Sequence, residues 1–276
     1  MISGRHKTLR DMFNRQRYPL DRLDSPQGQQ LLAQCHDTLR QSGALALPDF
    51  FTPASVEAMV GEVLASKQSG HRMHGEFSPY SDNLSEGFDV TLPESHPRRM
   101  RLPASHLFLA GDRFPGHSQL ASIYHDPEFR AFLEQALDVD RLHPLGDQLG
   151  HINALCYEPG DCNGWHFDTN EFIVSIMLQT PEAGGDYEFI PNLRSARDEN
   201  LDAVAQCMRE PDDAPNVQRV VLHPGTLFLF RGEYTLHRVT RIAGGRDRIV
   251  AILSYHREAG HQLSDGSKLA MYGKVQ

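Results

Sequence analysis

Cysteine is scarce in this 276-residue chain: Cys35, Cys156, Cys162 and Cys207 form no CxxC pair. That spacing excludes a dense disulfide framework and a sulfur-rich zinc site, and it fits a reduced, cytoplasmic setting. An excess of positive charge is missing too. Lys and Arg number 27 against 36 Asp and Glu, a net charge of -9, whereas a general nucleic-acid binder carries a basic face. No apolar run approaches the ~20 residues of a membrane span. The N-terminal MISGRHKTLRDMF has no apolar core of the kind a secretory signal needs. GxSxG, P-loop and Rossmann glycine patterns are all absent, which leaves hydrolase, NTPase and dinucleotide-binding classes without support. There is no internal repeat or low-complexity tract. What remains is an ordinary globular composition, and with no visible linker it reads as one domain over 1–276.

Three textures run along that domain. Residues 1–141 read as a helical portion with a lid segment, 142–260 as the core, and 261–276 as a C-terminal tail. Ser25 with Pro26 starts a helix that Gly43 stops, and Thr52 with Pro53 starts a second. Val56, Met59, Val60, Val63 and Leu64 give the second helix an apolar stripe. ALALPDFF between them reads as a short strand. From Ser69 to about Gly116 the chain is rich in Pro, Gly, His and Arg without periodicity, the texture of an irregular lid. Helices return at HSQLASIYH and DPEFRAFLEQALD. After Leu142 about eight short strand-like runs follow, from HINALCY to RIVAILSYH, interrupted by a helical patch at DENLDAVAQCMRE. Eight short strands behind N-terminal helices predict an α+β fold, a cupin-like jelly roll or double-stranded β-helix with the helices packed on it.

The chemistry concentrates in GWHFDTNEF. In an extended segment, side chains two apart share a face, so His166 and Asp168 point the same way. His237 lies 71 residues on, at the start of a strand that would sit beside the pair in a closed jelly roll. Two histidines and one carboxylate leave the opposite face of a metal open, the arrangement associated with non-haem Fe(II) oxygenases. Arg248 enters an apolar strand eleven residues after His237. A guanidinium aimed into a barrel calls for a carboxylate, such as that of a chelating keto acid. Tyr157 and Asn153 share a face of HINALCY and are candidates to meet the same ligand.

The runs YEPGDCNGWHFD, HPGTLFLFRGEYTLHRV and GGRDRIVAILSY resemble the Fe(II)/2-oxoglutarate-dependent dioxygenase superfamily. NGWHFDTNEF, GGDYEFIPNLR and RDRIVAILSYH are more narrowly similar to the carrier-independent amino-acid halogenases and their hydroxylating relatives. The likeness spans about Gly43 to Arg257. It implies Fe(II) held by His166, Asp168 and His237, with 2-oxoglutarate and O2 as co-substrates and Arg248 on the far carboxylate. The implied activity is hydroxylation of an unactivated carbon of a small polar molecule, most simply a free amino acid, with release of succinate and CO2. In halogenating relatives a small residue replaces the carboxylate, and Asp168 therefore favours hydroxylation. Many relatives carry serine two residues after the arginine. Here it is Val250, which leaves fewer contacts to the carboxylate or a share for Arg246.

Other readings stand beside these. Tyr157 serves equally as a core aromatic, Arg248 as a snorkelling arginine, and Asn153 as a structural amide. Asn163 and Thr169 flank the metal pair as substrate contacts or as turn residues. Arg99 and Arg101 in HPRRMR either grip a substrate carboxylate or form a solvated basic patch. The same iron centre also suits another metabolite, a peptide or protein side chain, desaturation or cyclisation. A rival of another class is a cupin-like metal- or ligand-binding protein without turnover, although such a protein has no need of the Arg248 anchor.

Overall fold

The computed structural model describes residues 9–81, 87–209 and 214–276. The first eight residues, part of the stretch read as lacking a secretory signal, lie outside these, as does Glu210 at the end of the expected helical patch. Among the described residues no helix is long and apolar enough to cross a membrane. The helices are α1 (Pro26–Ser42), α2 (Pro53–Ser66), α3 (Gln119–His125), α4 (Pro127–Ala136), α5 (Leu201–Arg209) and α6 (Asp265–Tyr272). Capping chemistry sets their limits. Ser25 accepts the Gly28 N–H, and Gly43, at φ 70°, closes α1 by donating to the Leu39 carbonyl. Thr52 precedes α2 without a side-chain cap, because its hydroxyl donates instead to the Asp11 carbonyl.

The strands are β1 (Ala44–Leu47), β2 (His71–Phe77), β3 (Leu102–Leu109), β4 (His143–Pro144), β5 (Ile152–Tyr157), β6 (Cys162–His166), β7 (Ile173–Gln179) and β8 (Ala183–Gly184). They continue with β9 (Tyr187–Ile190), β10 (Gln218–Val220), β11 (Leu227–Phe230), β12 (Leu236–Val239), β13 (Ile242–Ala243), β14 (Arg248–Leu253) and β15 (Tyr255–His256). Eleven form one antiparallel sheet in the order β1-β11-β7-β14-β5-β3-β6-β12-β9-β10, with β2 on β3. The non-consecutive order is that of a jelly roll curled on itself.

The central strands are buried on both faces, which is why they read as continuous apolar runs. Alternation divides them between two cores. Ile152, Ala154 and Cys156 of β5, with Ile249, Ala251 and Leu253 of β14, pack outward against Phe129 and Phe132 of α4 and Met59 of α2. Leu155, Tyr157 and Val250 point into the barrel with Tyr187 and Phe228. A third cluster joins Trp165 and Phe167 to Val204 and Cys207 of α5. The expected α+β architecture, a jelly roll with N-terminal helices packed on it, is what forms.

Two segments differ from expectation. The stretch from Ser69 to Gly116 was expected to be irregular, yet it holds β2 and β3. One edge of β3 bridges β5 and β6, and the other pairs with β2 from Leu102 to Phe108. Long-range pairing supplies what HRMHGEF lacks in local propensity, since strand preference is set largely by neighbours. The tail expected after residue 260 contains α6, capped by Ser264 and closed by Gly273 at φ 68°. Lys268 ties it to Asp147 at 3.4 Å, and Tyr272 donates to the Asn153 side chain.

Candidate metal centre and its cavity

His166 closes β6 and His237 is its register partner on β12. Asp168 lies just beyond the end of β6, where its N–H donates to the Gly232 carbonyl at 3.1 Å. A Cβ on Gly232 would stand 2.4 Å from Asp168 Oδ2, so only glycine leaves room for this carboxylate. One nitrogen of each imidazole and one carboxylate oxygen lie within 4.8 Å of one another. His237 Nε2 is 3.3 Å from Asp168 Oδ2, and His166 Nε2 is 3.7 Å from Oδ1. Metal bonds of ~2.0–2.2 Å to such donors require separations of about this size.

The backbone fixes the tautomers. His166 Nδ1 donates to the Gly164 carbonyl at 2.7 Å and His237 Nδ1 to the Thr235 carbonyl at 2.8 Å. Both Nε2 atoms therefore carry lone pairs toward Asp168. The Asn163 amide lies 3.2 Å from His166 Nε2, consistent with an acceptor there. Burial keeps His237 neutral by pushing its pKa well below the usual imidazole value. It also raises Asp168 to about 6, partly opposed by His166. Asp168 Oδ2 accepts no hydrogen bond from any described residue. Lone pairs on buried N and O atoms this close repel unless a cation lies between them, so the donor set fits a divalent metal.

The barrel interior leaves a cavity of about 210 Å³ that includes all three groups, with Arg248, Tyr157 and Tyr187 on its wall. Arg248 faces Tyr157 in register, and its guanidinium carbon is 5.4 Å from that ring. It is 3% exposed. Its Nε donates to the Gly185 carbonyl at 3.1 Å. Gly184 and Gly185, both at φ 66°, shape this turn, and a Cβ on Gly185 would press on the Arg248 side chain. No carboxylate of a described residue pairs with Arg248, and burial lowers its pKa. A buried cation in that state is costly until an anion arrives. The Tyr187 hydroxyl, with no hydrogen-bond partner among the described residues, stands in the same electrostatic neighbourhood.

The remaining expected residues divide. Asn163 lines the cavity and bonds Tyr157 as well as approaching His166. Thr169 lies at the exposed mouth with Asn170. Asn153 lines the cavity, but its amide donates to the Gly150 carbonyl at 2.9 Å and accepts from Tyr272, so the protein already occupies it. Arg99 and Arg101 do not reach the cavity. Arg99 donates to the Leu92 carbonyl at 2.7 Å, and Arg101 is exposed over the Phe88 ring, 3.8 Å from Glu76. The short 3-10 turn Pro97–Arg99 leads this basic run along the surface. Arg246 is exposed, with its guanidinium near the Pro181 carbonyl, and takes no place beside Arg248. Sequence reasoning missed Tyr187 and Gly232. An aromatic in DYEFI and a glycine in FRGEY carry no local signal.

A second cluster, His256, Glu258 and His261, also places three donor atoms within 4.8 Å. There His256 Nδ1 accepts the Glu258 backbone N–H at 3.0 Å, and the two rings stack at 3.7 Å.

Among solved structures, the chain is similar to an oxidoreductase of the 2OG-Fe(II) oxygenase family from Burkholderia pseudomallei (14% identity, 83% of this chain and 92% of that one, TM-score 0.50). It is also similar to the non-heme alpha-ketoglutarate-dependent epimerase SnoN from nogalamycin biosynthesis (13%, 82% and 81%, TM-score 0.56). A third is HygX from Streptomyces hygroscopicus, solved with nickel, 2-oxoglutarate and hygromycin B bound (13%, 83% and 95%, TM-score 0.53). At these identities the likeness is one of fold. No curated protein matches the sequence. The sequence model of halogenase D matches residues 56–271, from α2 through β14 into α6, and so takes in His166, Asp168, His237 and Arg248. With the fold of the 2-oxoglutarate/Fe(II) oxygenases around it, this chain belongs to the halogenase D family.

Proposed function

We propose that this protein is an Fe(II)- and 2-oxoglutarate-dependent oxygenase that hydroxylates a small polar substrate, a free amino acid in the first instance. The observation that carries the reading is one cavity holding both a triad of convergent lone pairs and a buried, carboxylate-free guanidinium. His166, Asp168 and His237 would hold Fe(II), leaving positions open for ligands. Arg248 would pair with the far carboxylate of 2-oxoglutarate, with the Tyr187 and Tyr157 hydroxyls beside it in place of the serine that many relatives carry. Val250 contributes only apolar surface there. Iron with its keto acid supplies the oxidising chemistry when bound. The chain's own part is to fix the donor tautomers, hold the Asp168 carboxylate beside them, exclude water and orient the substrate carbon.

Asp168 supports hydroxylation over halogenation, because its carboxylate fills the position that a halide needs. Gly232, which admits that carboxylate without a clash, belongs to the same reading. A cavity of about 210 Å³ lies below the ~300–1,000 Å³ of drug-sized ligand pockets, in keeping with a small metabolite. The amino-acid assignment rests on the likeness of NGWHFDTNEF, GGDYEFIPNLR and RDRIVAILSYH to the carrier-independent amino-acid enzymes. The test is succinate formation under air with Fe(II), ascorbate and 2-oxoglutarate against each free amino acid, with His166→Ala as blank. Stimulation by one amino acid, with a product heavier by one oxygen, is the expected result. Succinate without stimulation by any of them would remove the amino acid and keep the iron chemistry. A chlorinated product in the presence of chloride would overturn the role given to Asp168.

A further inference from the structure

Among the described residues, several buried polar atoms on the cavity wall lack a hydrogen-bond partner. Asp168 Oδ2 and the Tyr187 hydroxyl are accounted for by a metal and by the carboxylate assigned to Arg248, but the His106 ring is not. His106 sits on β3, the strand that bridges β5 and β6, and is 2% exposed. Its ring packs on Phe108 at 4.7 Å and Tyr157 at 4.8 Å. Neither ring nitrogen makes a hydrogen bond to a described residue; the nearby Ser105 carbonyl falls short of bonding geometry. Phenylalanine would fill this space without a desolvation penalty, so an imidazole here is unfavourable unless something in the cavity bonds it. Burial lowers its pKa to about 3. The ring is thus neutral, with one donor and one acceptor to offer.

Tyr157 locates the missing partner. Its ring touches His106 and also lies under the Arg248 guanidinium. His106 and Arg248 thus flank the same Tyr157 ring from different strands, and both line the cavity to which the keto acid is assigned. We propose that His106 is a binding residue for the co-substrate, donating a ring N–H hydrogen bond to the bound 2-oxo dicarboxylate from β3 while Arg248 holds it from β14. This rests on the assignment of 2-oxoglutarate above.

The full chain carrying His106→Phe or His106→Gln is compared with wild type in two measurements. The first is the thermal midpoint of the metal-free protein. The second is an anaerobic titration of the Fe(II) protein with 2-oxoglutarate, followed by its metal-to-ligand charge-transfer band. For His106→Phe the metal-free midpoint is expected to be unchanged or higher, because an unpaired polar group is removed. Half-saturation should rise roughly ten- to a hundredfold, the value of one hydrogen bond to a charged acceptor. His106→Gln, which keeps a donor, should fall between. Equal half-saturation in wild type and His106→Phe would overturn the inference alone. A lowered midpoint in both variants would make the ring a packing element and overturn it as well. Absence of the band in iron-loaded wild type would remove the co-substrate assignment, and this inference with it.

Discussion

The cluster of His166, Asp168 and His237 and that of His256, Glu258 and His261 bring the same three functional groups within the same 4.8 Å, yet differ in what holds each ring. In the first, both Nδ1 atoms donate to backbone carbonyls, so both Nε2 lone pairs face the carboxylate. In the second, His256 Nδ1 accepts a backbone N–H, which puts the proton of the neutral ring on Nε2. The first pair of rings meets at 53°, whereas the second is nearly parallel at 9°. Rings stacked face to face do not aim their nitrogens at one point. The first cluster is also anchored by paired strands, while Glu258 is exposed in a loop. Composition and proximity are equal in the two, and the hydrogen bonds behind the donors are not. That outer wiring decides which set is ready for a metal.

The most severe way to separate the clusters is to remove a histidine from each. His237→Ala should abolish 2-oxoglutarate turnover, an effect beyond the ~10–100-fold typical of losing an outer-shell partner. His261→Ala should leave succinate formation unchanged. Next in size is Arg248→Met. Loss of a charge partner in a buried pair is worth ~2–5 kcal/mol, so calorimetry should find 2-oxoglutarate binding weakened about thirtyfold or more. The metal-free protein should be no less stable, since an unpaired buried cation is gone.

Gly232→Ala should lower metal affinity about ten- to a hundredfold by displacing Asp168. Gly260→Ala beside the second cluster, where a Cβ meets open space at φ 75°, should cost only ~1 kcal/mol of stability and leave metal content alone. The smallest effect is that of pH. Asp168 must be ionised to bind a metal, and its metal-free pKa is raised to about 6. Fe(II) affinity should be flat above that pH and fall about tenfold per unit below it. His237 adds nothing in this window, because burial already keeps it neutral. Metal titrations on either side of pH 6 check the sign.

Much of the fold was legible because β5, β7, β11 and β14 alternate between two buried faces, leaving apolar runs bounded by turns such as PEAGGD and HPGT. The nearness of His166 and His237 was legible for a related reason, since strand pairing brings them together, whereas Asp168 lies just past the end of β6 and is brought to them by its N–H bond to the Gly232 carbonyl. Less could be read where tertiary contacts override local pattern. β3 forms because it joins β5 to β6, and β2 because it pairs with the other edge of β3, facts absent from HRMHGEF itself. The α6 signals, Ser264 and Gly273, are present in the sequence but bound only eight residues. The direction of Arg99 and Arg101 depends on a short turn, and the importance of Gly232 depends on a carboxylate 64 positions earlier.

The central claim is that the 166–168–237 cluster is the iron site and the 256–258–261 cluster is not. Anaerobic Fe(II) titration with 2-oxoglutarate present tests it most directly, run on wild type, His237→Ala and a His256→Ala/His261→Ala double variant. The account predicts one Fe(II) per chain with a charge-transfer band in wild type and in the double variant, and neither in His237→Ala. Two irons in wild type, or a band that survives in His237→Ala and disappears in the double variant, would contradict it.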